Sequence, residues 1–207
     1  MGKWLGVICV FLGVVCLLSA VGLVVYNRWE ADSAEEIAQA LLADAQSVMD
    51  EKQPEQFLPD DTVSLPDHLE IMSTEMATVK VGGYDCIGVL TVPVLDLELP
   101  VLTDWSYAKL KKAPCHYYGT YYEKDFVIAA HNYESHFGRL SQLQAGDIVI
   151  FTDVNGVDHC YEVVLLETLP KEATLEMIAS GFALSLYTCT PGGASRVTVR
   201  CNLISGV

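Results

Sequence analysis

From Trp4 to Tyr26 the chain runs twenty-three residues without a charge. At about 1.5 Å per residue a helix of that length crosses the roughly 30 Å of a bilayer's hydrocarbon core. The apolar stretch of a cleaved signal peptide is shorter, about 7–15 residues, and is followed by a small-x-small cleavage site, of which no clean instance follows this run. The run therefore predicts a membrane anchor over residues 1–28. Lys3 and the amino terminus precede it and Arg28 follows it, so the count of flanking cations does not orient the span. The acidic run Glu30, Asp32, Glu35 and Glu36, with no second apolar span after it, leaves the rest of the chain as one block, expected outside the membrane.

The net charge of −15, with only twelve Lys and Arg dispersed along 207 residues, argues against a phosphate-binding surface and hence against nucleic acid as a partner. Seven cysteines are present, two of them, Cys9 and Cys16, inside the span. The other five, Cys86, Cys115, Cys160, Cys189 and Cys201, form no C-x-x-C pair and no zinc-like spacing. An odd number on an exported domain leaves at least one thiol unpaired within the chain.

After the span, Ile37, Leu41, Leu42, Ala45, Val48 and Met49 recur at a helical period, predicting a juxtamembrane helix. Pro54, Pro59 and Pro66 with Asp60 and Asp61 then mark Gln53–Asp67 as a linker or a segment lying across the domain. Residues 29–69 read as this helix and linker, and 70–207 as one catalytic-size domain. There the pattern changes to eight short β-rich runs: Ala77–Val81, Cys86–Val92, Leu95–Val101, Asp125–Ala130, Asp147–Thr152, Cys160–Leu166, Ala183–Thr188 and Arg196–Leu203. Helical pattern is confined to Ser106–Ala113, a turn near Ser141–Leu143, and Leu175–Ser180. Asn155-Gly156 predicts a hairpin with a type I′ turn. The spacing implies a mainly β domain, a closed or nearly closed barrel of about eight strands with short helices.

Chemistry concentrates in Ser185-Leu186-Tyr187-Thr188-Cys189-Thr190-Pro191-Gly192-Gly193-Ala194-Ser195-Arg196. A strand ends at a cysteine, Pro-Gly-Gly turns the chain, and the next strand begins at an arginine. If Cys189 and Arg196 oppose each other, their Cβ atoms project from one face about 4.5–5.5 Å apart. Arg200 alternates onto that face, some 13 Å further along at about 3.3 Å per residue. Cys201 falls on the opposite face and reads as a buried small hydrophobe. A thiol nucleophile needs a proton partner and its reaction a donor for developing negative charge. Arginine meets the second need because it stays cationic and carries several donors.

Of the five histidines, His131 follows the apolar run Phe126–Ala130, where a buried strand emerges. His68, His116, His136 and His159 are expected at the surface. His131 and His136 are five apart, on neither one helix face nor one strand face, so no metal site is predicted. Asp96, Glu98, Glu123 and Asp125 do not form a set that supports calcium.

Ser185-Leu186-Tyr187-Thr188-Cys189 resembles the T-L-x-T-C signature of the sortases, with Ser for the first Thr. His131, here preceded by Ala130 where the family usually has Gly, and Arg196 correspond to the family's histidine and arginine. Ile87-Gly88-Val89-Leu90-Thr91-Val92-Pro93 and Phe137-x-x-Leu140-x-x-Leu143-x-x-Gly146-Asp147 extend the likeness over about residues 76–204. The resemblance implies the sortase barrel and a cofactor-independent cysteine transpeptidase. Cys189 would attack a sorting signal of the L-P-x-T-G kind near the end of an exported protein, His131 would protonate the departing amine, and a thioester would pass to an amine of a peptidoglycan precursor or of a pilin lysine. Arg196, with the backbone N–H of Thr190, would hold the oxyanion, and Thr188 would act as a supporting donor. Two alternatives remain: a pilin polymerase, which the lack of a C-terminal span and of an Asp-Pro-aromatic lid disfavours, and a membrane-anchored binding barrel with an inert thiol.

Overall fold

The computed structural model describes residues 2–52 and 75–204. The linker Gln53–Asp67 and His68 lie outside the described residues. Helix α1 runs unbroken over Gly2–Lys52, so the expected anchor and juxtamembrane helix are a single element. Nothing between Asn27 and Lys52 interrupts it, because no Gly or Pro occurs there, and it ends two residues before Pro54. Its first half has the length and hydropathy of a membrane span and presents its apolar side chains outward. Its second half buries Ala34, Ala38, Leu41 and Ala45, one stripe at helical spacing, against the first strands of the domain. The small alanines bring the helix close. Asp44 accepts from the Gly82 N–H at 2.7 Å, and Gln46 donates to Glu98 at 2.8 Å.

The domain is a closed mixed barrel. In chain order its strands are β1 (Val79–Val81), β2 (Tyr84–Val92), β3 (Leu97–Leu102), β4 (Cys115–Tyr118), β5 (Phe126–Ala129), β6 (Ile148–Asp153), β7 (Asp158–Pro170), β8 (Leu184–Cys189) and β9 (Ser195–Leu203). Two short helices, α2 (Tyr107–Leu110) and α3 (Thr174–Ile178), lie between strands. Eight strands follow one another as β2-β3-β4-β5-β8-β9-β7-β6, β6 pairs back onto β2, and β1 extends the same edge of β2. At that closure, Gly88 lets two backbones meet: a Cβ there would lie 2.2 Å from the Thr152 carbonyl oxygen. Phe126, Phe137, Phe151, Leu90, Leu184 and Val199 fill the interior.

The eight expected strands are present with shifted ends, and β4 is added. It escapes a hydrophobic-period reading because Cys-His-Tyr-Tyr is short and lies between Pro114 and Gly119. The β6–β7 connection is not a type I′ turn: Gly156 has φ +79° but Asn155 does not enter the left-handed region. The Asp153 carboxylate accepts the N–H groups of Asn155 and Val157 at 2.8 and 3.1 Å, and the Gly156 N–H reaches the Asp153 carbonyl at 2.9 Å. This is the three-residue alternative, a type I turn closed by glycine.

A second correction concerns the histidines. His136 is fully buried, and His116 and His159 are half-buried. The loop after β5 winds tightly, with Phe137 N–H on the His131 carbonyl at 3.1 Å and Gly138 N–H on the Tyr133 carbonyl at 2.8 Å. That turn draws Phe137 into the core and His136 beneath α1. His116 bridges the carbonyls of Thr103 and Gly119 at 2.9 and 2.7 Å, and His159 lies 3.5 Å from Asp153.

Burial, then the nearby His131, lowers the His136 pKa to about 4. The Ala34 carbonyl opposes this weakly, yet neither ring nitrogen makes a hydrogen bond of ordinary geometry. The unfolded chain, whose histidine titrates near 6.5, thus takes up a proton that the folded chain refuses. Stability is full above about pH 6.5 and is lost as pH falls towards about 4, by on the order of 3 kcal/mol from this group. Thermal unfolding of wild type and His136→Leu across that range tests this: the variant is expected to lose less stability on acidification, and an unchanged slope would place the acid sensitivity elsewhere.

Candidate active site

The site follows from the pairing of β5 with β8. These strands are parallel, with Phe126 opposite Leu184, Val127 opposite Ser185, Ile128 opposite Leu186 and Ala129 opposite Tyr187. The Ala130 N–H continues the ladder to the Tyr187 carbonyl at 3.2 Å. Continued two residues, the same offset sets His131 level with Cys189 on neighbouring chains, which in a sheet run about 4.8 Å apart. Both side chains line one cleft of about 160 Å³. Thr188, buried, donates its hydroxyl to the Ala130 carbonyl at 2.9 Å, and so fastens the residue before the histidine to the residue before the cysteine.

Arg196 reaches the cleft from β9. It pairs directly with Cys189, the register read from the sequence. The loop between them is a type II turn: Pro191 and Gly192 are its central residues, Gly192 has φ +83°, and the Gly193 N–H bonds the Thr190 carbonyl at 2.8 Å. The Thr190 N–H, expected as an oxyanion donor, instead meets the Ser195 carbonyl at 3.0 Å, and the Thr190 hydroxyl also bonds Ser195. Thr190 thus closes the hairpin. Arg196 Nη1 donates to the carbonyls of Gly193 and Ser195, both at 3.1 Å. Its Nε and Nη2 make no hydrogen bond among the described residues, leaving those donors for an oxyanion.

Arg200 has a different fate. It is buried on β9, opposite Ser185. It donates to Glu167 at 2.8 Å, to the Ser185 hydroxyl at 2.8 Å and to the carbonyls of Glu176 and Met177. The side chain joins β7, β8 and α3 beneath the cleft wall. Ser185, the first residue of the motif, is therefore an acceptor for this arginine.

His131 is half-buried and its ring stacks on Tyr133, with centroids 4.8 Å apart and planes inclined by 22°. Burial lowers its pKa, Lys111 lowers it further, and Glu30 opposes both. At neutral pH the imidazole is thus mostly neutral and able to take a thiol proton. One wall of the cleft is aromatic: Tyr117 meets Tyr187 edge-on at 5.3 Å and Trp105 at 5.7 Å, and Tyr107 packs edge-on against Trp105. Pro170, Lys171 and Met177 form the other. The aromatic wall was not legible in sequence, since its members are scattered over three elements.

Among the described residues no three His, Cys, Asp or Glu side chains gather as a metal site. Asp125 is committed to Ser180 and Gly181, and Glu98 to Gln46. The cysteines are all free thiols. Burial raises the pKa of Cys86, and that of Cys115 and Cys201 to about 12, which disfavours their thiolates; Cys189 is half-exposed in the cleft.

A family model described as a sortase domain matches residues 90–204, more than half of the chain. The chain is similar to sortase A from Corynebacterium diphtheriae at 22% identity and TM-score 0.52, covering 60% of this chain and 63% of that one. It is similar to sortase A from Listeria monocytogenes at 20% and 0.54, covering 58% and 88%, and to sortase C from Clostridium perfringens SM101 at 19% and 0.50, covering 86% and 90%. The chain thus spans less than two thirds of the length of the C. diphtheriae structure. At these identities the likeness carries the fold. No curated protein sequence matches the chain.

The two arginines are separable by experiment. Arg196→Ala is expected to lower turnover of a sorting peptide by about a hundred- to a thousandfold, the usual effect of removing one oxyanion donor, and Arg196→Lys to fall between. Arg200→Ala should instead destabilise by on the order of 3 kcal/mol, because it strands a partly exposed carboxylate and several buried acceptors. Turnover with melting curves checks both, and a folded, catalytically dead Arg200→Ala would reverse the assignment. Thr188→Val, which keeps shape and removes the strand-end bond, should slow turnover by roughly tenfold.

Proposed function

We infer that this chain, which belongs to the sortase family, is a membrane-anchored cysteine transpeptidase with Cys189 as nucleophile, His131 as proton carrier and Arg196 as oxyanion donor. The observation that carries the reading is the juxtaposition of His131, two residues past β5, with Cys189 at the end of the parallel β8, and the pairing of Arg196 to the cysteine from the other side.

The reaction runs in two halves. The Cys189 thiol gives its proton to His131 and its sulfur attacks a peptide carbonyl carbon, while Arg196 Nε and Nη2 bind the oxygen that gains the charge. His131 returns the proton to the departing amine, the C–N bond breaks, and a thioester remains on Cys189. An incoming amine attacks the thioester, His131 takes the amine's proton and passes it to the leaving thiolate, and a new amide is released. No cofactor takes part in these steps.

The substrate we propose is an exported protein with an L-P-x-T-G-like signal near its end, and the acceptor an amine of a peptidoglycan precursor. The catalytic domain then lies on the outer side of the membrane, held by the span in α1. Transfer to a pilin lysine, the other outcome that the sequence resemblance leaves open, is the competing acceptor.

The test is to incubate the full chain in detergent with a sorting peptide and either acceptor amine, and to analyse it by mass spectrometry. A thioester adduct on Cys189, absent from Cys189→Ala, and an amide product with the peptidoglycan-precursor amine are expected. His131→Ala should lose at least about a hundredfold in rate. Near-normal turnover by folded Cys189→Ala would sink the assignment, and transfer only to the lysine would replace wall anchoring by pilin assembly.

A further inference from the structure

Helix α1 does more at the domain than reach it from the bilayer. About two turns of it run past the cleft's rim: Arg28, Ala31, Asp32 and Glu35 face Glu134, Ser135 and Arg139 of the loop after β5 across one groove, and Ala34 is buried over His136 in that loop. Just above, Glu30 forms an ion pair with Lys111. Lys111 follows Leu110, the last residue of α2 and part of the cleft wall. The helix thereby grips both flanks of His131, the α2 wall on one side and the histidine's own loop on the other.

We propose that Glu30, on the turn of α1 that leaves the membrane span, is a positioning residue of the acid–base site, setting through Lys111 and Tyr133 where His131 sits and how readily it carries a proton. This rests on His131 being the proton carrier.

The anchor is held to the domain without this pair. Its alanine stripe, the Asp44–Gly82 bond and the Gln46–Glu98 bond lie further along the helix, and an ion pair as exposed as Glu30–Lys111 adds little to stability. Its charges matter because of what they face. His131 makes no ring hydrogen bond among the described residues and is held by its stack on Tyr133. The polar groups around it are Lys111 after α2, Glu30 on α1, Tyr133 and His136 on its own loop, Cys189 on β8 and Arg196 on β9. Lys111 disfavours the protonated form of His131 and Glu30 favours it, so the two partners of the ion pair act on the imidazole in opposite directions. Removing either leaves the other acting alone on a half-buried imidazole.

The measurement is an NMR titration of His131, with ring-labelled histidine and the signal assigned by its loss in His131→Gln, on the full chain in detergent micelles. Glu30→Gln should lower the His131 pKa and Lys111→Met should raise it, each by a few tenths of a unit or more, and the acid limb of the turnover profile should move with each. A purely structural contact would move both the same way or neither, and either result overturns the proposal. Should a single variant fail to fold, the swapped double variant Glu30→Lys, Lys111→Glu carries the test: turnover within about fivefold of wild type supports positioning by the pair, and a larger loss in a folded protein overturns it. If instead His131→Ala retains turnover, the assignment of the proton carrier fails, independently of Glu30.

Discussion

Two strands running the same way, with the same offset maintained to their ends, are what the rest of this molecule serves. Antiparallel neighbours would have put the end of one beside the start of the other. Parallel β5 and β8 instead keep one offset, so His131, two residues past β5, comes level with Cys189, the last residue of β8. The remainder secures that coincidence: Thr188 ties the two ends with a hydrogen bond, β9 returns an arginine to the same level, and Arg200 holds β8 to β7 and α3 from behind. The five-residue motif is thus a set of mechanical instructions as well as the bearer of a thiol. Its first hydroxyl receives Arg200, its fourth residue fastens the histidine's strand, and its fifth is the thiol.

What the sequence revealed depended on how local the cause was. The span, the strand runs and the Cys189–Arg196 register rest on neighbours within a few residues, and those were readable. The Cys189–His131 meeting joins strands fifty-eight residues apart, and spacing alone does not say which strands adjoin; the family resemblance, not the periodicity, supplied it. Burial of His136 was hidden for a similar reason. Asn132–Gly138 is polar in composition, and nothing within the loop discloses that a distant helix lies over it. Thr190 shows the reverse case: its amide looked available until the geometry of the turn assigned it to Ser195.

The unbroken α1 links two environments that sequence reading divided. A jointed connection would let the domain swivel over the bilayer, whereas a continuous helix transmits the orientation of its membrane half to the half packed on the barrel. The alanine stripe makes this docking close but not deep, since each alanine buries little area. Rigidity here comes from continuity and several small contacts.

The placement of β8 and β9 has a consequence in time as well as in space. They are the last strands of the described chain, and β8 must insert between β5 and β9, a pairing that closes a long loop and so forms slowly relative to local hairpins. While the earlier strands assemble, the histidine has no thiol beside it and the thiol has no arginine. The meeting of the three side chains therefore waits on the long-range pairing of β8 rather than on any local hairpin.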